Sequence, residues 1–158
     1  MSKDFSHFDE TGGISMVDVA SKRTTHREAV AVATVRMKPD TLTKLIEQAL
    51  PKGDVLTTAK VAGVMAAKAT PSLIPLTHPV PLNSIDVTFD MDRAAGTIEI
   101  RAIVRCDGKT GVEMEAMTAC AVAALTIYDM CKSAEKGITI ESLQLVRKSG
   151  GKSGLWER

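Results

Sequence analysis

Between Gly111 and about Ala134 the chain carries apolar residues at almost every helical angle: Val112, Met114, Met117, Cys120, Val122, Ala124, Leu125, Ile127, Tyr128 and Cys131. A helix that is hydrophobic nearly all round must be buried on more than one side, so the rest of the fold has to be built around it. With 158 residues the chain is long enough to do this as one domain with one core. The apolar stretch Ala116–Tyr128 is expected to be too short and too often polar to span a bilayer, and Met1-Ser2-Lys3-Asp4-Phe5-Ser6-His7 lacks the apolar core of a secretory signal. The expectation is a cytoplasmic protein with no membrane partner.

Around this helix the pattern predicts an α+β domain. Residues 1–15 read as a flexible N-terminal arm, 16–148 as the single folded domain and 149–158 as a Gly/Lys-rich C-terminal tail. Met16-Val17-Asp18-Val19 reads as a short strand, and Ala29 to Met37 as a longer one with Val30, Val32 and Val35. Pro39 and Asp40 open a helix through Leu42, Leu45, Ile46 and Leu50; Pro51 and Gly53 end it. A second helix is capped by Asp54 and ends at Thr70-Pro71, its small apolar residues suited to close packing on a sheet. Three prolines make Pro75 to Pro81 a rigid irregular loop. Alternation then predicts strands through Ile85, Val87, Phe89 and through Ile98, Ile100, Ala102, Val104, turned near Arg93 to Gly96, with a last strand over Ile138–Val146. Leaving aside the first short strand, the order β-α-α-β-β-α-β is a split β-α-β with one additional helix, a ferredoxin-like sandwich. Both faces of the 97–105 strand read as apolar, which predicts cover from another subunit.

Charge narrows the function. Twenty basic residues balance nineteen acidic ones, and aromatics make up 3%, so neither a global field nor a stacking platform for nucleic acid is present. Any anion site must be local. Cys106, Cys120 and Cys131 show no C-x-x-C pairing and are expected as reduced thiols. No histidine or cysteine spacing supports a metal site, and no cofactor is expected.

Polar residues cluster beside glycine or proline at Lys52-Gly53-Asp54, at Leu76-Thr77-His78-Pro79, at Lys109 to Glu115, and at Tyr128 to Lys132 together with Arg147 to Gly154. Gly108-Lys109-Thr110 and Gly151-Lys152-Ser153 end like a nucleotide-hydrolase phosphate loop. Ile103 and Val146 replace the earlier glycine, so neither is one. What remains is flexible backbone and lysines able to hold phosphate oxygens. Asp129 and Lys132 share a helix face as either a helix-end ion pair or an acid/base pair. Glu113 and Glu115 either complement the helix start or face a ligand; His78 and Lys52 are open between ordinary surface roles and proton transfer. Glu115 and Asp129 lie on nearly the same face but about 21 Å apart along one helix, so one helix cannot supply both to one small-molecule pocket.

Met16 to Val19, Lys52 to Val55, Ile74 to Pro79, Gly108 to Ala116, Ala123 to Lys132 and Lys148 to Gly154, in that order, resemble the MoaC family. The resemblance implies a ferredoxin-like subunit in a homohexamer built as a trimer of dimers, with active sites at subunit interfaces. It implies a lyase of molybdenum cofactor biosynthesis, converting a cyclic GTP-derived triphosphate to cyclic pyranopterin monophosphate and diphosphate without a redox cofactor. The matching positions assign Asp129, Lys132 and Lys52 to catalysis, and Leu76, Thr77, His78, Glu113, Met114 and Glu115 to substrate contact. Arg27, Lys148 and Lys152 match basic positions suited to the triphosphate. Thr77 departs from the cysteine often found there, which removes any thiol role. A non-catalytic nucleotide- or phosphate-binding module using the same loops is the alternative.

Overall fold

The computed structural model describes residues 13–48 and 51–158. Its elements run β1 (Thr25–Arg36), α1 (Pro39–Ile46), α2 (Val55–Leu73), β2 (Leu82–Asp92), β3 (Thr97–Gly108), α3 (Glu113–Cys131), β4 (Thr139–Ser149) and β5 (Trp156–Glu157). One sheet has the order β2-β3-β1-β4-β5, with every neighbouring pair antiparallel. Setting aside α1 and β5, this is the ferredoxin-like α+β sandwich expected from the element order.

The core lies between one sheet face and the helices. Along β1, Ala29, Ala31, Ala33 and Val35 are fully buried, and Ile98, Ile100, Ala102 and Val104 line up beside them on β3. Fully burying one of the larger of these side chains contributes about 1.5–3 kcal/mol. The alanines leave room for α3 to lie close on the sheet. Small residues on α2 serve a different contact from the one expected. They seat α2 against α3 as well as against β2, and a Cβ on Gly63 would come within 3.0 Å of the Ala119 carbonyl oxygen. α3 therefore has sheet on one side and a helix on the other, the environment its nearly uniform apolarity demands. It is 19 residues long and by length and composition could cross a membrane, so its length sets no barrier to spanning; 56% of that window is buried within the domain.

Several boundaries differ from expectation. Met16–Val19 forms no strand, and just before it Ile14 makes an isolated bridge. β1 begins at Thr25, ahead of the expected start at Ala29, and pairs along its whole length with β3. α1 stops at Ile46; Leu50, where it was expected to end, and residues 1–12 of the arm lie outside the described residues. α2 passes through Pro71 to Leu73, since a proline in the last turn forfeits a single backbone bond and Ile74 still donates to Thr70 at 2.9 Å. The open face of β3 carries Glu99, Arg101, Ile103 and Arg105 and is largely charged, correcting the expectation of an apolar face there. The three cysteines are free and buried. Burial pushes the Cys120 thiol up to about 12 and Cys131 up to about 11, so both are inert.

Candidate active site

The expected site residues gather at the two ends of α3. At its start, a cleft of about 580 Å³ opens between the helix N-terminus, the 74–81 loop and the turn that follows β4. Thr77 and His78 reach it from the proline-stiffened loop, Glu113, Met114 and Glu115 from the first turn of α3, Arg27 from β1, Lys148 from β4 and Lys152 from the turn beyond. Leu76 is half-buried and is not among the lining residues. Lys22, Lys109 and Ser153 also line the cleft and were not among the assigned site residues, although Lys109 and Ser153 lie in the polar clusters read from sequence. The near-match of Gly108-Lys109-Thr110 to a phosphate loop was the signal for Lys109; Lys22 stood unmarked in a basic run.

Cations and a helix start converge here. Lys148 Nζ pairs with Glu113 Oε1 at 2.8 Å. Arg27 donates through Nε to the Gly108 carbonyl at 3.4 Å and through Nη2 to the Lys109 carbonyl at 3.3 Å, which fixes its guanidinium at the cleft wall. Lys109 Nζ donates to the Ala20 carbonyl at 2.8 Å, tying the segment before β1 to the loop before α3. Five positive side chains, Lys22, Arg27, Lys109, Lys148 and Lys152, thus line the cleft at the positive end of a 19-residue helix dipole, an arrangement suited to a polyanion. Among them Glu115 is 3% exposed. Burial, reinforced by the neighbouring Glu113 charge, raises its carboxyl above the ordinary value. Thr77 spends its hydroxyl on the Ile74 carbonyl at 2.9 Å, so its side chain braces the loop.

At the other end of α3, Asp129 stands between two lysines. Lys132 Nζ lies 2.6 Å from Oδ1, and Lys52 Nζ lies 2.8 Å from Oδ2. Lys52 also donates to the Asp129 backbone carbonyl at 2.9 Å, answering the negative end of the helix dipole. It arrives from the turn between α1 and α2, which Gly53 makes with φ of +82°. Hydrogen bonds from Lys132 and Lys52 pull Asp129 down to about 2, and the same carboxylate raises Lys132. This group is open to solvent, with 56% of the Asp129 side chain exposed. Among the described residues no group of three His, Cys, Asp or Glu is placed to hold a metal ion.

Fourteen residues of helix separate Glu115 from Asp129, about 21 Å of rise. The two clusters therefore cannot close on one small molecule within one chain.

Comparison with known proteins gives one consistent answer. The MoaC family model matches residues 16–151. A cyclic pyranopterin monophosphate synthase of Geobacter sulfurreducens is 57% identical over 154 residues, covering 98% of this chain and 96% of the relative. Proteins of the same name from Desulfatibacillum aliphaticivorans and Thermoanaerobacter pseudethanolicus are 57% and 51% identical, over 96% and 97% of this chain and 95% and 97% of theirs. A family model spanning most of the chain, full-length identity above one half, and the ferredoxin-like fold with its cation-lined cleft agree: the chain belongs to the MoaC family.

Proposed function

We propose that this chain is a cyclic pyranopterin monophosphate synthase, a lyase of molybdenum cofactor biosynthesis. It takes a cyclic GTP-derived triphosphate and releases cyclic pyranopterin monophosphate and diphosphate. The observation that carries this reading is the full-length identity to proteins so named, and the cation-lined cleft supports it. The cleft at the start of α3 takes the triphosphate, where Arg27, Lys148 and Lys152 neutralise charge as diphosphate departs and the cyclic ester closes. Glu113, Met114, Glu115, Thr77 and His78 set the wall against which the ring system lies.

Proton transfer falls to Asp129, Lys132 and Lys52. Asp129 remains ionised at neutral pH and holds Lys132 protonated, so Lys132 enters the reaction as a donor. As its proton passes to the substrate ring, Lys132 becomes a neutral amine beside the Asp129 carboxylate, and that amine can then accept a proton.

The two ends of α3 serve one substrate only if they come from different chains. This supports an active site shared across a dimer interface, in the trimer of dimers that the resemblance implies.

The direct test is incubation of the protein with the cyclic triphosphate, following diphosphate release and pterin fluorescence. Stoichiometric diphosphate and cyclic pyranopterin monophosphate are expected. Tight binding without release would overturn the enzyme reading in favour of a binding module.

A further inference from the structure

On the sheet face turned away from the helices, four neighbouring strands each contribute one residue to a row of ion pairs. Arg105 of β3 donates through Nε to Glu28 Oε2 of β1 at 2.6 Å. Arg147 of β4 donates through Nη1 to Glu28 Oε1 and through Nε to Glu157 Oε1 of β5, the latter at 3.0 Å. The Glu28 side chain is only 13% exposed beneath its two arginines. Nothing in the proposed chemistry uses these residues.

Their sequence neighbours do take part in it. Arg27 precedes Glu28 and Lys148 follows Arg147, and alternation along a strand sends adjacent side chains to opposite faces. The row thus pins β1 and β4 at the residues adjacent to two cations of the cleft. β5 extends the same logic. It pairs Glu157 with Arg147 and Trp156 with Lys148, turning residues 149–155 into a closed loop. Gly150 and Gly151, with φ of +97° and +70°, bend that loop tightly over Arg27; a Cβ on Gly151 would lie 1.8 Å from Arg27 Nη1. Lys152 and Ser153 are thereby delivered to the cleft.

We propose that Glu28, Arg147 and Glu157 are positioning residues, which hold Arg27, Lys148 and the loop bearing Lys152 together so that their charges meet a polyphosphate as a preformed set. The inference rests on the triphosphate-binding reading above. Released from β5, the 149–155 loop is a free chain that must be ordered at the moment of binding, so the cost falls on affinity and not on the chemical step.

The experiment compares the intact protein with Glu157→Gln, with Glu28→Gln and with deletion of residues 155–158. Two readouts are taken: KM and kcat for the cyclic triphosphate, and Kd for inorganic tripolyphosphate by calorimetry. Glu157→Gln is expected to raise KM and the tripolyphosphate Kd together by about threefold, and the deletion by about tenfold, with kcat unchanged. Glu157→Asp should recover most of the loss. Trp156 is the only tryptophan in the chain, so its emission should shift to the red in Glu157→Gln as β5 loosens. Glu28 is buried enough that its variant could fail to fold; Glu157, with 59% of its side chain exposed, keeps the test decisive. Unchanged KM and Kd in Glu157→Gln, or a fall confined to kcat, would overturn the proposal. If the intact protein binds tripolyphosphate but never turns over the cyclic triphosphate, the enzyme reading fails while a weakened Kd in Glu157→Gln still supports the positioning role.

Discussion

The two ends of α3 treat a carboxylate in opposite ways. Glu115, in the first turn, is 3% exposed, and burial raises its carboxyl above the ordinary value. Asp129, in the last turn, is open to water, and two lysines pull it down to about 2. Desolvation dominates at one end and paired charge at the other. One helix thus carries one carboxyl group whose proton affinity is raised and one whose proton affinity is lowered, about 21 Å apart. Separation of this kind lets acid and base roles coexist in one protein, provided that a second chain brings the two ends together.

The sharpest way to break the comparison is to disable each end separately. Lys132→Ala and Lys52→Ala should each lower turnover by about 10²-fold or more, the scale of a lost general acid or base, with unchanged circular dichroism. Glu115→Ala and Asp129→Ala should each be inactive alone. Refolded together in equal amounts they should regain about a quarter of wild-type sites, since some interfaces then pair two intact ends. No recovery in mixed assemblies would mean that no active site is shared between chains.

Acid titration separates the ends next. Asp129 has a folded value below its ordinary one, so its contribution to stability is full above pH about 4 and is lost as pH falls toward 2. Glu115 has the opposite sign. Its raised value means the folded state favours the protonated form, an advantage complete below the ordinary glutamate value and lost as pH rises through the folded one. Glu115→Gln should therefore raise the thermal midpoint at pH 7.5, with the gain shrinking toward pH 4, while lowering activity. A destabilised Glu115→Gln at neutral pH would mean that the charged form has a partner there.

The smallest effect is expected at Thr77, whose hydroxyl braces the loop through Ile74. Thr77→Cys should weaken that brace by about 0.5–1 kcal/mol in denaturant unfolding and leave kcat within about twofold, because the residue holds the loop and takes no proton. A large change in kcat would move Thr77 from the wall of the cleft into its chemistry.

Much of the fold was legible in the chain, for reasons that differ between elements. α3 announced itself because burial on two sides requires apolar residues all round, and the β2–β3 hairpin because alternation and Gly96 mark its strands and turn. β5 was not legible, since two residues, Trp156 and Glu157, carry no period and exist as a strand only because β4 offers an edge. Met16–Val19 showed the reverse: Val17 and Val19 suggested a strand where none forms. The site was legible in part. Asp129 and Lys132 are three apart on a helix, a spacing that local geometry alone brings together, whereas Lys52 joins them across 77 residues and Lys22 joins the cleft from a run of ordinary basic residues.

Sequence by itself determined which residues are chemically able to act, that one helix separates Glu115 from Asp129, and that the fold must enclose that helix, because periodicity and spacing are local properties of a chain. Only the tertiary structure decided which charges meet. The burial of Glu115, the approach of Lys52 to Asp129, and the row from Arg105 to Glu157 all depend on strand register and on which edge is free, and these are set by packing between segments distant in the chain.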